Sequence, residues 1–256
     1  MAVFLDIDAT PLLSRRRAQT QDLIAVIPAY NAQDSIQDVV SRARRKVARV
    51  YVVDDGSTDA TAANAKRAGA SLIVHTSNRG KGAALHSAFA CLDDEQFTYM
   101  IILDADGQHD PNELHRLVDE ARRSQADVVC GTRMDNPQDM PWLRRATNKT
   151  MSGIVSWLCR VKLTDTQCGF RLLSKRAVRC IKLKKTNFEV ESEMLIQAAR
   201  NGLKVTEIPI RSIYGTTQSS HIKPVHDTVR FIRLVGWLAV ARCFGGNKPA
   251  PTPAEE

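Results

Sequence analysis

Apolar runs punctuate the first half of the chain at a steady interval. They lie at residues 23–27, 49–53, 71–75, 100–103 and 126–131, each closed by Gly, Pro or Asp or, after 71–75, by Thr76-Ser77-Asn78. Short unbroken apolar runs with such boundaries read as strands buried on both faces. Polar-start helical stretches separate them: from about Asp34, from Asp59 to about Gly69, from Asn78 to Leu92, and from Asp110 to Ser124. Strand and helix alternating through short loops predict an α/β domain, with a mostly parallel sheet covered by helices on both faces. The second half changes character. Residues 142–161 predict a long helix with Arg144, Arg145 and Lys149 near its start, and 164–173 are rich in turn residues. A helix around 188–201 stops at Gly202, and 204–210 predict a further strand ending near Pro209. Residues 214–223 are polar, and 224–244 predict a last, basic helix. The expected organisation is a tail at 1–21, one domain at 22–223, the C-terminal helix, and a tail at 245–256, with no internal repeat.

Charge narrows the partners. The net charge of +8, from 36 basic and 28 acidic residues, favours anionic ligands: nucleic acid, phosphates or an anionic membrane surface. Aromatic residues make up only 5% of the chain, too few to interleave a stacking platform, so no nucleic acid is expected. The six cysteines, at 91, 130, 159, 168, 180 and 243, form no C-x-x-C pair and several sit in apolar segments, the pattern of reduced, buried thiols. The first residues carry Asp6, Asp8 and Arg15 to Arg17 without an apolar core, so no signal peptide is expected and the cytoplasm is the expected compartment. The longest uncharged run of the C-terminal helix, 234–241, is far short of the ~20 residues a bilayer span needs. That helix can lie in a membrane interface, anchored by Trp237 and its arginines, or pack on the domain; both readings stay open.

The candidate chemistry begins where the fourth apolar run ends. Asp104 falls at the carboxyl end of that strand and Asp106 just beyond it. In open α/β sheets ligands bind at that end. Two carboxylates so close repel unless a positive charge joins them, and hard oxygen donors suit Mg²⁺ or Mn²⁺. The alternative is ordinary turn chemistry, with Asp110-Pro111 opening the next helix. Other strand ends of the same edge bring Pro28 to Asn31, Asp54 and Asp55. Gly80-Lys81-Gly82 opens a helix there, where free N–H groups and the Lys81 charge favour phosphate. Each has a bland reading as a turn or cap; turn chemistry explains their convergence on one edge less easily. G-x-G-x-x-G and the Walker A pattern are absent, which disfavours a dinucleotide enzyme or a P-loop NTPase.

These motifs resemble a known family. Pro28-Ala29-Tyr30-Asn31, Asp54-Asp55-Gly56-Ser57-x-Asp59, Gly80-Lys81-Gly82, Asp104-Ala105-Asp106-x-Gln108 and Gly131-Thr132-Arg133 are similar in order and spacing to the family-2 glycosyltransferases of GT-A fold. The dolichyl- or polyprenyl-phosphate mannosyltransferase-like branch is the closest. Asp165 to Arg171, Glu193, Glu207 to Ile210 and Ser220 to Ile222 support it, and the likeness covers roughly residues 22–235. The resemblance implies that Pro28, Tyr30, Val53 and Asp55 hold the nucleoside. It implies that Asp104, Ala105, Asp106 and Gln108 hold the metal and the diphosphate. Arg133 and Arg211 would contact phosphates of donor or acceptor. The family's usual Glu after Pro-x-Tyr-Asn is here Ala32, which removes a carboxylate from the nucleoside side.

The expected reaction moves a sugar, with inversion, from a nucleoside-diphosphate sugar (GDP-mannose or a UDP-sugar) to a lipid phosphate, with a cation on Asp106 neutralising the leaving group. A saccharide hydroxyl acceptor would need a positioned carboxylate as base. A lipid phosphate is already anionic near neutrality and needs arginines instead, with Arg133, Arg145 and Arg211 as candidates. Asp165 and Glu193 are candidate bases for a hydroxyl acceptor or, preferably, orienters of those arginines. A third reading, a non-catalytic nucleotide-sugar-binding subunit, rests on Ala32 alone.

Overall fold

The computed structural model of the chain describes residues 22–133, 142–186 and 189–211. The expected tails, the 214–223 stretch and the C-terminal helix lie outside the described residues. Strands β1 (Leu23–Ala29), β2 (Arg49–Asp54), β3 (Ser71–Val74), β4 (Tyr99–Ile102), β5 (Val128–Thr132), β6 (Arg171–Ser174) and β7 (Val205–Pro209) form one sheet. Their order is β3-β2-β1-β4-β6-β5-β7. All but β6 point the same way; β6 runs antiparallel to both of its neighbours, β4 and β5.

Alternation along the strands builds two separate cores. Ile24 and Val26 face one side of β1, and Leu23, Ala25 and Ile27 the other. The first side is closed by α3 (Lys81–Cys91), α5 (Trp142–Cys159), α6 (Lys175–Cys180) and α7 (Val190–Arg200). The second is closed by α1 (Ile36–Arg44), α2 (Thr61–Arg67) and α4 (Leu114–Ser124). The helices on this side are amphipathic at helical spacing: α1 buries Ile36, Val39, Val40 and Ala43, and α4 buries Leu114, Leu117, Val118 and Ala121. Each fully buried aliphatic side chain contributes roughly 1.5–3 kcal/mol, so both faces are needed to hold the sheet.

One expectation fails in an informative way. The stretch at 164–173 holds not only turns but the start of β6, and α6 follows it directly. Thr, Asp, Gly and a charged Arg171 hide a strand that is too short to show alternation. Arg171 is nonetheless only 1% exposed. Its guanidinium donates to the carbonyls of Cys168 (3.0 Å), Glu191 (2.6 Å) and Thr166 (2.7 Å), so backbone dipoles replace its lost water. Cys91, Cys130, Cys159, Cys168 and Cys180 are all free thiols. Among the described residues no helix is long and apolar enough to cross a membrane.

Candidate active site

The parallel strands deliver their carboxyl ends to one edge. β1 ends in Pro28 and Ala29, paired with Val53 and Asp54 of β2, while Leu103 to Gln108 follow β4. The loops after β1 and β2 are laced together. Asn31 takes φ 48°, donates its amide to Ser57 Oγ (2.9 Å), and accepts from the Thr58 amide (3.0 Å). The Ala32 amide donates to Thr61 Oγ1 (2.7 Å) and that of Gln33 to Asp59 (3.2 Å). Ala32 itself packs against the core and brings no carboxylate to the edge. Tyr30, 41% exposed, stands open beside this lattice.

Asp55 and Val53 are both buried at the end of β2. Val53 is fully buried and packs in the core under α3, so its backbone at the strand end, and not its side chain, faces the edge. Asp55 is buried and bound by its own fold. It accepts from the amides of Arg79 (3.0 and 3.1 Å) and Gly80 (2.7 Å) and pairs with His75 Nδ1 (2.7 Å). His75 Nε2 in turn meets Ser87 Oγ at 2.9 Å. Asp55 therefore shapes the turn that launches α3. Gly80 takes φ 93° there, a backbone region closed to most side chains.

Lys81, the first residue of α3, does not stand bare. Its Nζ lies 2.5 Å from Asp104 Oδ1 and 2.7 Å from Glu191 Oε1. Burial opposes its charge, but the two carboxylates outweigh that and raise its pKa above the usual lysine value. Burial also pushes the Asp104 carboxyl up; the Lys81 charge, helped by His109 and Arg133, overrides it and holds Asp104 at about 2. His109 stacks on Phe170 with ring centroids 5.3 Å apart. Gly169 lies directly against Asp104: a Cβ there would sit 2.3 Å from Oδ2. The charge expected at the start of α3 is thus shared between two carboxylates, and Asp104 is already salt-bridged.

Asp106 differs. It is exposed and accepts the Gln108 amide on Oδ1 (2.9 Å), with Gln108 beside it at intermediate burial. Ala105 is buried and its carbonyl accepts from Ser35 Oγ (2.6 Å), which anchors the acidic loop to α1. Among the described residues no group of three or more His, Cys, Asp or Glu side chains is placed to hold a metal ion. An exposed carboxylate with one neighbour fits Mg²⁺ or Mn²⁺, which bind through one or two carboxylates plus substrate phosphates, and not an all-protein cage.

Beyond β5, Arg133 is clamped by Asp165. Nε and Nη2 donate to the two carboxylate oxygens at 2.7 and 3.0 Å, and the Arg133 amide adds a third bond at 3.2 Å. Asn148 Nδ2 and the Gln167 amide also donate to Asp165, each at 3.3 Å. Asp165 is 1% exposed, and both of its oxygens are taken up by these donors. Glu193 has other partners. Its carboxylate accepts the amides of Lys184 and Lys185 and the Gln197 side chain, at 2.8–3.2 Å, and so ties a loop to α7. Arg145 is exposed on the first turn of α5, and Arg211 is exposed just past β7. The residues that sequence reasoning missed are Glu191, His109, Gly169 and the His75–Ser87 pair. Glu189, Glu191 and Glu193 open α7 two residues apart, and no periodicity tells which of them turns toward Lys81.

A model described as glycosyl transferase family 2 matches residues 24–182. Polyprenol monophosphomannose synthase of Mycolicibacterium smegmatis is 30% identical over 205 residues, 75% of this chain and 77% of that protein. UDP-N-acetylglucosamine–dolichyl-phosphate N-acetylglucosaminyltransferase of Methanococcus voltae is 29% identical over 212 residues, 74% of this chain and 84% of that protein. Among solved structures, glucosyl-3-phosphoglycerate synthase of Mycobacterium tuberculosis, in complex with Mn²⁺, UDP and phosphoglyceric acid, superposes with a TM-score of 0.66. It is 18% identical and covers 94% of this chain and 82% of its own, so it shows the shared fold. With an acidic loop past β4 on a mostly parallel sheet and a family model spanning most of the domain, the chain belongs to glycosyl transferase family 2.

Proposed function

We propose that the chain transfers a hexose, with inversion, from a nucleoside-diphosphate sugar to a polyprenyl or dolichyl phosphate. The observation that carries the choice of acceptor is the state of the two candidate bases. Asp165 is spent on Arg133 and Glu193 on backbone amides. A hydroxyl acceptor must lose a proton during attack, and both carboxylates already accept other hydrogen bonds, which favours an acceptor that needs no base. A phosphate monoester attacks as an anion and asks only to be held. The names of the two relatives, one acting on a polyprenol phosphate and one on a dolichyl phosphate, support the same acceptor class. They differ in sugar, so GDP-mannose and a UDP-sugar both stand as donors.

In this reading a phosphate oxygen of the acceptor attacks the anomeric carbon as the bond to the donor's diphosphate breaks. Asp106 and Gln108, with Asp104, would hold Mg²⁺ or Mn²⁺, which would supply charge to offset that gained by the leaving diphosphate. Arg133, its guanidinium oriented by Asp165, brings a positive charge to the edge where the phosphates would sit. Thr132 and Pro209 are partners in the β5–β7 pair, so Arg133 and Arg211 leave neighbouring strand ends on the same edge. Arg145 belongs to α5, which Asn148 ties to Asp165. Tyr30 offers an exposed ring at the far side of the edge for the nucleoside.

The same helix supports a membrane surface as partner. Between residues 140 and 164 there is no Asp or Glu, but there are Arg144, Arg145, Lys149, Arg160 and Lys162. Trp157 is 65% exposed on α5. A basic, acid-free segment with an exposed Trp suits an anionic lipid interface.

The test is incubation with a panel of radiolabelled nucleotide sugars and a polyprenyl phosphate, followed by extraction and counting of the organic phase. The expected product is acid-labile, forms only with Mg²⁺ or Mn²⁺, and disappears with chelator or Asp106→Asn. Full activity after chelation overturns the metal assignment. An acid-stable glycoside overturns the phosphate acceptor. Absence of both transfer and donor hydrolysis leaves a binding-only protein.

A further inference from the structure

Glu191 is 4% exposed, and its Oε2 is the one fully buried side-chain polar atom among the described residues without a hydrogen-bond partner. The other oxygen, Oε1, holds Lys81. A buried carboxylate oxygen left unsatisfied is costly, and each such atom calls for a reason. The surroundings point to Lys81. Its ammonium has three donors, and Asp104 and Glu191 compete for it. The competition is lopsided in freedom of movement. Asp104 is backed by the Gly169 backbone, which leaves it no room to withdraw in that direction. The Glu191 backbone is pinned by Arg171 through its carbonyl (2.6 Å). The Lys81 backbone is pinned next door, where the Gly82 amide donates to the Thr186 carbonyl (2.8 Å) and a Cβ on Gly82 would collide with Lys185. Of the three groups, the long Lys81 side chain is the one able to change partner while the backbone stays put.

We propose that Glu191 is a positioning residue, the second station of Lys81: when donor diphosphate and its cation occupy the acidic loop, Lys81 leaves Asp104 and is held by both oxygens of Glu191. The inference rests on the proposed donor chemistry. Lys81 and a divalent cation on the same carboxylate would repel, so the ammonium must retreat or cation affinity must fall. Without a second carboxylate the retreat would strand a buried charge. The unpaired Oε2 is the acceptor already in place for it. Sugar chemistry is not asked of Glu191; it acts through Lys81 on the availability of Asp104.

Mn²⁺ binding in the presence of UDP or GDP, followed by electron paramagnetic resonance, tests this without turnover. Glu191→Gln is expected to weaken Mn²⁺ binding about tenfold, because the lysine stays on Asp104. Lys81→Met/Glu191→Gln is expected to bring it back toward the unaltered protein, since no ammonium remains to be moved. A purely structural Glu191 would lower the melting temperature in both variants and give no such rescue. Unaltered Mn²⁺ affinity in Glu191→Gln, or no rescue in the double variant, overturns the inference. Should either variant fail to fold, a crystal structure of the unaltered protein with Mn²⁺ and UDP or GDP decides. Lys81 Nζ bonded to both Glu191 oxygens is expected, and Lys81 still on Asp104 overturns the exchange. If the unaltered protein binds neither nucleotide with Mn²⁺, the donor reading itself falls, which is a different result from binding without exchange.

Discussion

The Lys81–Asp104 pair makes a pH-dependent contribution whose sign is fixed by the direction of the shift. Asp104 is lowered from 3.8 to about 2, so it binds fewer protons folded than unfolded. Its contribution is therefore complete above about pH 4 and is lost as pH falls toward 2, on the order of 2 kcal/mol in all. Lys81→Met should destabilise the protein at neutral pH, and the gap to the unaltered protein should close between pH 4 and 2. Urea denaturation at stepped pH measures it, and a gap constant across that window would refute the pairing. Gly169 gives a sharper probe of function. A methyl at Gly169 must displace the Asp104 carboxylate, the end of a side chain, and not backbone. Gly169→Ala should thus fold, losing at most the stability that the Lys81–Asp104 pair contributes, as Lys81→Met does, yet lose sugar transfer at least tenfold. Retained transfer would mean that the position of Asp104 is not used. At this scale the sequence was readable for types and not for partners. Asp104, Asp106 and Arg133 stand at the predicted edge, but nothing in one dimension tells that Lys81 bridges Asp104 to a glutamate 110 residues on, or that Glu193 is consumed by a loop.

Among the elements, those that lie on the sequence's own period were legible. The five apolar runs of the first half became β1 to β5, within a residue or two at their ends, and the helices between them followed. β6 escaped because its identity depends on distant groups. Arg171 at its start looks like a surface charge, and only the fold supplies the carbonyls of Cys168, Thr166 and Glu191 that solvate it. This arginine joins the loop carrying Asp165 and Gly169 to the first turn of α7, so it holds two sides of the site at once. Arg171→Met would leave the loop carbonyls of Cys168 and Thr166 without this donor, at about 1–3 kcal/mol for each unsatisfied group, and would remove a second donor from the helical Glu191 carbonyl. The expected loss is on the order of 3 kcal/mol or more, read from the denaturation midpoint. A loss below 1 kcal/mol would show that water replaces the guanidinium. The hidden strand also explains the sheet's geometry: an antiparallel insert between β4 and β5 separates the acidic loop from Arg133 by one strand width, about 4.8 Å beyond direct neighbours.

Taken whole, the molecule distributes its charge of +8 unevenly. The long acid-free stretch around α5 concentrates cations on a helix that also touches the site through Asn148 and Asp165. Arg145 and Lys149 are four residues apart and share a flank, and Arg160 and Lys162 follow the last turn, all exposed. A membrane-held acceptor would then meet Arg133 from the side on which the protein rests. Each basic residue near an anionic surface contributes about 1 kcal/mol. Reversing Lys149 and Arg160 to Glu should therefore lower binding to vesicles containing anionic lipid by at least tenfold, and Trp157→Ala should lower it further. Binding should also fall with added salt, because exposed charges are screened within about 10 Å at 0.1 M. Flotation with anionic and with zwitterionic vesicles measures all of this. Transfer to a short, water-soluble polyprenyl phosphate should stay near its original rate in the same variants, while transfer to a long chain in vesicles falls. Loss of both in parallel would place these residues in catalysis and not in docking. Loss of neither would move the docking surface elsewhere, and deletion of 224–256 would then be the next variant to compare on the two acceptors.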